Sequence, residues 1–249
     1  MRFFSFFAPV VLLLSATVFA QSVDPKNADN ETGFVSMFNG KDLSEWEGDA
    51  ELWSVADGCI VGETAAEGPR KITYNQFLIW KGGDVDDFVM RFDARVTPGG
   101  NSGIQYRSWL NPDKDKPYSV FGYQVDFDGI NRSTGKIYGE NYRKTLAYRG
   151  TRAEVGDDHV PKEIERFIDD EALKSQISTN DWNSFEVIAD GFTFTQKVNG
   201  LLTCVLSDND KEMRRKSGIV AIQLHTGPAM KVEVRNLRIK KYVLVENTQ

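Results

Sequence analysis

Alternation between apolar and polar residues dominates the chain from Gly33 onward and predicts β-strands. In the longest run, Phe88 to Val96, an apolar residue occupies every second position, and Val, Arg, Asp and Arg lie between them. Residues two apart in a strand point to the same side of a sheet, so this run predicts a strand with one buried face. Three tight-turn signals separate neighbouring runs and predict hairpins: Asp57-Gly58, Asp190-Gly191 and Asn199-Gly200.

The order of these runs predicts the fold class. Strands do not alternate regularly with helices, which argues against a parallel sheet, and the sequence has no fixed-period repeat. A charged segment at 152–178 differs, because Ile164, Phe167 and Leu173 recur at roughly helical spacing. We therefore predict an all-β, antiparallel two-sheet sandwich of jelly-roll style, with a short helical insertion near 152–178.

The two ends of the chain differ from the strand-rich part. Residues 1–20 combine Arg2 with a mostly apolar run and small residues at the end, which predicts a cleaved signal peptide and export to the periplasm or the outside. A retained membrane anchor is the alternative, but the apolar run is short for a spanning helix. We expect a flexible leader at 21–32, one domain at 33–241 and a tail at 242–249, with no later transmembrane segment.

Composition narrows the classes of partner. The formal net charge is -6, and loss of Arg2 with the signal peptide would make it about -7. Such an acidic exported chain is a poor candidate for binding nucleic acid or anionic membranes. Cys59 and Cys204 are too few for a disulfide scaffold, and their apolar surroundings favour buried free thiols over a single bridge. The sequence leaves the oligomeric state open.

Candidate chemistry is concentrated in a polar stripe shared by three predicted strands. Each strand places two polar residues on one face, where an ordinary outer face carries Lys, Glu and Thr. The stripe instead contains amides, a guanidinium, a carboxylate and an imidazole, which are groups that hold sugar hydroxyls or move protons. If the three strands share a sheet, that sheet has a binding face. The pairs are Gln105 with Arg107, Gln124 with Asp126, and Gln223 with His225.

Motifs for the common cofactors are missing from the sequence. It contains no phosphate-binding glycine loop, no zinc-ligand spacing and no nucleophile elbow. The segment from Gln124 to Gly129 has a weak similarity to a calcium loop, but its ligand spacing is incomplete. We therefore predict no cofactor and leave a divalent metal open.

Several motifs, in this order and spacing, resemble the 3-keto-disaccharide hydrolase family over Gly33 to about Lys240. No single motif is decisive, but together they are specific. They are Phe38-Asn39-Gly40-Lys41-Asp42-Leu43 with Trp46, Trp53 to Gly62, Asn101-Ser102-Gly103-Ile104 with Arg107, Gly122-Tyr123-Gln124-Val125-Asp126, Asp181-Trp182-Asn183, Val198-Asn199-Gly200, Gly218 to His225, and Val234 to Ile239.

The resemblance implies a fold and an activity. The fold is a concanavalin A-like (lectin/glucanase) β-sandwich, which agrees with the strand pattern. The activity is cleavage of glycosides already oxidised to a ketone at C3, by hydrolysis or by 1,2-elimination and hydration. Many members carry Glu and Gln where this chain has Gln124 and Asp126. The carboxylate is thus displaced by two positions on the same strand face.

The implied chemistry assigns roles to the stripe. A C3 ketone acidifies the C2 proton, so the site needs a base at C2, a donor at the C3 oxygen and an acid for the leaving oxygen. Asp126 or His225 is the candidate base, and Arg107 is the candidate partner of the enolate oxygen. Glu140 and Arg143 are expected to close over the ligand. Gln105, Gln124 and Gln223 are expected to hold hydroxyls, and Trp109 to stack on a sugar ring.

Alternatives remain for both the residues and the activity. An ordinary glycosidase pair of Asp126 and Glu140 would also fit. Arg107 is equally consistent with a structural ion pair to Asp126, and His225 with a histidine that only ends a strand. Beyond enzymes, the same stripe fits a non-catalytic carbohydrate-binding module, whereas a structural envelope domain would bind no sugar.

Overall fold

Strands make up most of the computed structural model, which describes residues 32–242. The predicted signal peptide and nearly all of the predicted leader and tail lie outside this part of the chain. The strands are β1 (Val35–Ser36), β2 (Trp46–Glu47), β3 (Trp53–Ala56), β4 (Cys59–Glu63), β5 (Gln76–Trp80), β6 (Phe88–Val96), β7 (Asn101–Leu110), β8 (Val120–Asp128), β9 (Ile137–Glu140), β10 (Lys144–Ala147), β11 (Thr151–Val155), β12 (Pro161–Arg166), β13 (Asn183–Asp190), β14 (Thr193–Val198), β15 (Leu201–Asp208), β16 (Ile219–Leu224) and β17 (Lys231–Lys241).

The strands form two sheets that pack on each other. Within residues 32–242, one sheet has ten strands in the order β12-β11-β15-β14-β13-β6-β17-β4-β3, with β1 paired to β17. The other has seven strands in the order β10-β9-β8-β7-β16-β5-β2. Apart from the parallel pair β11–β15, the neighbours are antiparallel. The predicted antiparallel sandwich is therefore confirmed.

The core lies between the two sheets and follows the predicted alternation. Along β6 every second residue from Phe88 to Val96 is buried, and the residues between them are partly exposed. Phe92 of β6 stacks on Phe185 of β13, with 4.8 Å between ring centroids, and also meets Phe127 of β8 in the opposite sheet. Cys59 and Cys204 are buried free thiols, as predicted. Burial of this kind of apolar surface is the main favourable term in folding.

The predicted hairpins are present, one of them displaced by a residue. Asp57-Gly58 and Asn199-Gly200 have positive φ at both positions, the geometry that makes Asn-Gly and Asp-Gly favourable there. At the third, Asp190 still belongs to β13, and Gly191 begins the two-residue turn.

The segment at 152–178 is less helical than predicted. Its first half forms the antiparallel pair β11–β12, and Ile164, predicted in a helix, lies in β12. The helix α1 covers only Asp170–Lys174, capped by the Asp169 side chain. These residues form strands because β11 pairs with β15, a strand distant in sequence, and so extends the ten-stranded sheet. No helix between residues 32 and 242 has both the length and the apolar character needed to cross a membrane.

Candidate functional site

The polar stripe lies on the outer face of the seven-stranded sheet. Its strands β8, β7 and β16 are consecutive neighbours, as the stripe requires. Gln105 is paired with Gln124 across β7 and β8, so their side chains share a face. The intervening residues, such as Ile104 and Val125, belong to the core between the sheets. The sandwich thus presents its polar groups on the side away from the ten-stranded sheet.

A chain of buried amides connects the three strands on this face. Gln105 donates to Gln124, and Gln124 donates from Nε2 to the Asp126 carboxylate. The same Gln124 nitrogen lies 3.4 Å from Oε1 of Gln223, and Ser108 Oγ donates to Gln105 at 2.9 Å. A buried polar group without a hydrogen bond lowers the stability of the fold, so this series of hydrogen bonds holds Gln124 and Asp126 in one arrangement.

Gly103 makes room for the Gln124 side chain. A Cβ at position 103 would lie 2.5 Å from both Cγ and Cδ of Gln124. The Gln124 side chain therefore lies directly over the β7 backbone, where only glycine leaves enough space. This contact explains the glycine at this position of β7.

A cavity of about 600 Å³ opens over the β8 and β9 part of this face. Four of the predicted site residues line it: Gln124, Asp126, Glu140 and His225. Gln105 and Gln223 are fully buried behind them rather than on its wall. The other lining residues are Asn75, Asn101, Ser133, Tyr138, Gly139, Asn141, Tyr142 and Lys144.

Asp126 is the most perturbed carboxyl group of the cavity. Its pKa is raised from 3.8 to about 7, chiefly by burial; the hydrogen bond from Gln124 opposes the rise, and the nearby Glu140 carboxylate contributes to it. A carboxyl group with a pKa near neutrality exchanges a proton readily at physiological pH. Asp126 therefore has the properties of a general base or acid.

Glu140 is held at the end of β9 by a residue far away in sequence. Nδ2 of Asn75 donates to Glu140 Oε1 at 2.8 Å, and the Asn75 carbonyl accepts from the backbone N–H of Thr226 at 2.8 Å. Burial raises the pKa of Glu140, and the Asn75 hydrogen bond and His225 oppose that rise. A second carboxyl group with a raised pKa thus shares the cavity with Asp126.

His225 follows β16 directly and lines the cavity. Its Nδ1 contacts the backbone carbonyl of Thr226, which can only accept a hydrogen bond. The proton of the neutral ring therefore resides on Nδ1, and Nε2 retains its lone pair. With Asp126 and Glu140, the cavity contains three groups able to transfer protons.

A second cavity of about 380 Å³ adjoins the first. The two share Asn75 and Asn141 in their walls. The second is formed where the loop before β5 meets the loop between β7 and β8, and Tyr74 Oη donates to the Pro117 carbonyl there at 3.2 Å. Its remaining lining residues are Asn111, Lys116, Ser119, Phe121 and Thr226.

The prediction that Arg107 faces the polar stripe is wrong. Its φ is +47°, and the β7–β8 register shifts between Tyr106 and Trp109, so the alternation of side chains is broken there. The guanidinium is fully buried, donates to Asp87 at 2.7 Å and lies over the Phe194 ring. The alternative of an ion pair with Asp126 is also wrong, because the pair is with Asp87.

Arg143 is likewise directed away from the cavity. Its guanidinium binds the Asp208 carboxylate at 3.1 Å and Tyr123 Oη at 3.1 Å, and it is almost fully buried. Arg143 belongs to the β9–β10 turn, whose neighbouring residues Asn141 and Tyr142 line the cavity. It therefore anchors one wall of the cavity instead of closing over a ligand.

Trp109 also lies behind the cavity walls. Its ring stacks on Phe121 with 5.8 Å between centroids, meets Tyr142 edge-on at 5.1 Å, and has the Arg215 guanidinium over it at 4.5 Å. It lines neither cavity, so the prediction of direct stacking on a sugar is not supported. Phe121 and Tyr142 each line one cavity, which gives Trp109 a supporting position behind both.

Sequence reasoning missed several lining residues. Asn75 lies in a loop, and only the tertiary structure brings it to Glu140. Two of them could have been predicted from strand alternation, because residues an even number of positions apart in a strand share a face. Tyr138 is two positions before Glu140, and Asn101 is four positions before Gln105. Lys144, which supplies a cation to the wall, begins the edge strand β10 and had no comparable signal.

The acidic loop after β8 is held together by one of its own carboxylates. Within residues 32–242 no cluster of three or more His, Cys, Asp or Glu side chains is arranged to hold a metal ion. The Asp128 carboxylate accepts hydrogen bonds from the backbone N–H groups of Ile130, Arg132 and Ser133. In this loop, which weakly resembles a calcium loop in sequence, the Asp128 carboxylate thus accepts hydrogen bonds from the backbone of the loop itself.

Solved structures share the fold at low sequence identity. A candidate glycosyl hydrolase from Parabacteroides distasonis is 20% identical, with a TM-score of 0.56, covering 89% of this chain and 99% of that one. The carbohydrate-binding module CBM66 from Bacillus subtilis is 15% identical, with a TM-score of 0.51, covering 81% and 98%. The fold is therefore the predicted concanavalin A-like sandwich.

Sequence comparison identifies the family. A curated 3-keto-disaccharide hydrolase from Bacteroides thetaiotaomicron is 28% identical over 137 residues, which are 49% of this chain and 46% of the relative. The chain thus spans about half the length of that relative. The family model described as "3-keto-alpha-glucoside-1,2-lyase-like domain" matches residues 33–240, nearly all of the predicted domain. The chain belongs to this family of 3-keto-alpha-glucoside-1,2-lyase-like domains.

Proposed function

We propose that this protein is an exported enzyme that cleaves 3-keto-glycosides by proton abstraction at C2 and 1,2-elimination. The observation that carries the proposal is one cavity that contains Asp126, with a pKa of about 7, together with Glu140 and His225. Family membership supplies the substrate class, because the matching family model is named for lyases of 3-keto-glucosides. Export rests on the predicted signal peptide.

The first step is removal of the C2 proton. Asp126 in its ionised form is the proposed base, with the lone pair of His225 Nε2 as the alternative. The electrons of the C2–H bond form a C2=C3 double bond, and the C3 oxygen becomes an enolate. Within the described part of the cavity wall, Lys144 supplies the cation, and Asn101 supplies amide donors, for this developing charge.

The second step is loss of the leaving group. The enolate returns its electrons to C3=O, a C1=C2 double bond forms, and the C1–O bond breaks. Glu140 in its protonated form is the proposed donor to the leaving oxygen, because burial raises its pKa and favours the neutral acid. Addition of water across C1=C2 then gives the keto-sugar, so the net reaction is hydrolysis.

The buried amide chain contributes positioning. Gln124 is hydrogen-bonded to Gln105 and to Asp126, and it also lines the cavity. Because the hydrogen bonds already hold the carboxylate in one orientation, it loses little conformational entropy when the substrate binds. Gln124 therefore holds Asp126 toward the bound sugar while the two other glutamines hold Gln124.

The deciding experiment compares oxidised and unoxidised substrates. The mature protein is incubated with a 3-keto-glucoside carrying a chromogenic aglycone and with the matching glucoside. We expect release from the keto substrate alone, reduced about a thousandfold by Asp126→Asn. Asp190→Asn, an exposed aspartate at the end of β13, is the matched control and should retain activity.

Other outcomes point to the other functions considered. Release from both substrates would indicate an ordinary glycosidase that uses Asp126 and Glu140 as its two carboxylates. Binding of sugars without product from either substrate, with and without added divalent metal, would indicate a carbohydrate-binding module. Absence of both binding and release would leave only a structural domain.

A further inference from the structure

We propose that His159 is a positioning residue of the active site, and that its charged form holds the β9–β10 turn, a wall of the larger cavity, through Asp210 and Arg143. The inference rests on the proposed function and adds to it a residue that controls substrate affinity from outside the cavity. His159 lies in the turn between β11 and β12 and lines neither cavity. Its effect on the site therefore passes through other side chains.

The β9–β10 turn is attached to the rest of the fold through Arg143. Six of the seven residues at 138–144 line the larger cavity, and Arg143 is the exception. Its backbone N–H donates to the Gly139 carbonyl at 3.2 Å and closes the turn, while its side chain is buried in ion pairs. A shift of the guanidinium therefore displaces its neighbours in the cavity wall, Tyr142 and Lys144. Substrate positioning is sensitive to shifts of about 1 Å in such a wall.

A buried ion cluster surrounds the Arg143 guanidinium. Asp208 is bound by both Nη1 and Nη2, and Nη1 also lies 3.5 Å from Oδ2 of Asp210. Both carboxylates are fully buried, and Tyr123 Oη donates to Asp208 without adding a charge. With both carboxylates ionised, these three ionic groups sum to one negative charge. Such an imbalance is unfavourable in a buried cluster, because the surroundings solvate charge poorly.

His159 supplies the balancing charge. Its Nδ1 lies 2.7 Å from Oδ2 of Asp210, the same oxygen that faces Arg143. Because a carboxylate oxygen accepts the hydrogen bond, Nδ1 carries a proton, and a second proton on Nε2 makes the ring a cation. The His159 side chain is 43% exposed, so the ring can exchange this proton with the solvent. The charged ring brings the cluster to neutrality.

The charged groups around His159 set the pH range of this effect. The hydrogen bond to Asp210 raises the pKa of His159 most, Glu212 at 3.6 Å from Nε2 adds to the rise, and burial and Arg143 oppose it. The other charged groups of these loops pair with each other: Asp157 with Lys211 at 3.4 Å, and Asp158 with Lys162 at 2.6 Å. The cation therefore persists to a higher pH than in free histidine and is lost as the pH rises through the folded-state pKa of His159.

Loss of the imidazole charge acts on the cavity through Arg143. Asp210 is held in place, because its Oδ1 accepts from the backbone N–H groups of Glu212 and Met213 at 3.2 and 3.0 Å. The guanidinium lies 3.1 Å from Asp208 and 3.5 Å from Asp210. Without the cationic ring, Asp210 attracts the guanidinium more strongly. The turn that carries Arg143 then moves, and the substrate binds less tightly.

The test replaces His159 by Asn, which tolerates the backbone φ of +62° and carries an amide where the ring has Nδ1. The hydrogen bond to Asp210 can therefore form, and only the charge is lost. KM of the chromogenic 3-keto-glucoside is measured for wild type and variant from about pH 5 to about pH 9. The readout is the ratio of the two KM values. Both proteins contain Asp126 and Glu140, so the titration of these groups cancels in the ratio.

We expect KM of His159→Asn to exceed that of wild type about fivefold at the acidic end and to equal it at the alkaline end. The midpoint should coincide with the pKa of His159 measured by NMR. The chain has two histidines, so the signal lost in the variant identifies His159. Lys162→Gln removes an equal charge from the same hairpin, outside the cluster, and is the matched control. Its KM should equal that of wild type at every pH.

The outcomes separate this inference from the proposed function. A KM ratio that differs from one by the same factor at every pH would show that His159 has only a structural role, and would overturn the inference. A ratio of one throughout, or a pKa of His159 below that of free histidine, would overturn it as well. In all three cases the proposed function stands. No turnover of the keto substrate by the wild type would overturn the proposed function itself, and the positioning role with it.

Discussion

Asn75 donates its side-chain amide to the carboxylate of Glu140 across 2.8 Å, although the two residues are 65 positions apart in the chain. The bond joins the loop before β5 to the end of β9. It also connects Glu140 to His225, because the Asn75 carbonyl accepts from the backbone N–H of Thr226, the next residue along the chain. The proposed acid is thus fixed by a residue outside the polar stripe.

Replacing Asn75 by Ala is expected to change the pH dependence of catalysis. The Asn75 hydrogen bond favours the charged carboxylate and lowers the pKa of Glu140, so its removal raises that pKa further. If Glu140 acts as the acid, the alkaline limb of the kcat profile should move to higher pH, and kcat should fall by about tenfold.

A matched control for Asn75 is available on the surface. Asn209 makes an equivalent bond to Glu154, at 2.8 Å, on an exposed part of the molecule. Asn209→Ala should leave the pH profile unchanged. A profile for Asn75→Ala that superimposes on wild type would contradict the role of Glu140 as the acid.

Asp126→Asn is expected to stabilise the fold at alkaline pH while it abolishes turnover. Burial raises the folded-state pKa of Asp126 to about 7, above its unfolded value. A group whose pKa is higher in the folded state than in the unfolded state stabilises the fold fully at pH values below its unfolded-state pKa. This stabilisation is lost as the pH rises through its folded-state pKa. The neutral amide avoids this loss, and it can still accept the hydrogen bond from Gln124.

The measurement for Asp126→Asn is urea unfolding at about pH 5 and about pH 8. The variant should gain roughly 2 to 4 kcal/mol over wild type at the higher pH and much less at the lower one. Equal stability of the two proteins at both pH values would show that Asp126 is not held protonated by its surroundings.

Gly103→Ala is expected to impair both stability and activity. The added methyl would lie 2.5 Å from two carbons of Gln124, so this side chain must leave the position in which it is hydrogen-bonded to Asp126. Overpacking of this kind costs about 1 to 3 kcal/mol in free energy of unfolding. Gly156→Ala is the control, since the nearest atom to its new Cβ would be 3.7 Å away. Full activity in Gly103→Ala would argue against a positioning role for Gln124.

Arg107→Gln is expected to lower stability much more than catalysis. Its buried guanidinium pairs with Asp87 and donates to backbone carbonyls of Asp86 and Gly191, which tie β7 to the ten-stranded sheet. Breaking a buried pair costs about 3 to 5 kcal/mol. Activity per folded molecule should stay within about threefold of wild type.

The partner substitution gives an independent check on Arg107. Asp87→Asn should cause a comparable loss of stability, and the double variant should lose less than the sum, because both remove one interaction. A hundredfold loss of kcat in folded Arg107→Gln would instead support an enolate-binding role and contradict the observed placement.

The strand pattern alone predicted most of the sandwich. The bounds of β6 follow from alternation, because a two-residue period places every second side chain on the one buried face of the sheet. The same period placed Gln124 and Asp126 on one surface, since β8 is regular over these residues. These are local properties of the chain, and local properties are what a sequence pattern reports.

Tertiary structure decided the features where local alternation fails or distant segments meet. Arg107 leaves the stripe at a bulge, where Gly122 and Gly218 of other segments pack closely against Ser108. The first half of the segment at 152–178 forms strands because β11 pairs with β15 in the ten-stranded sheet. Asn75 contacts Glu140 because the fold brings the loop before β5 next to the end of β9. In each case the deciding energy comes from contacts between residues remote in sequence, which no short-range pattern records.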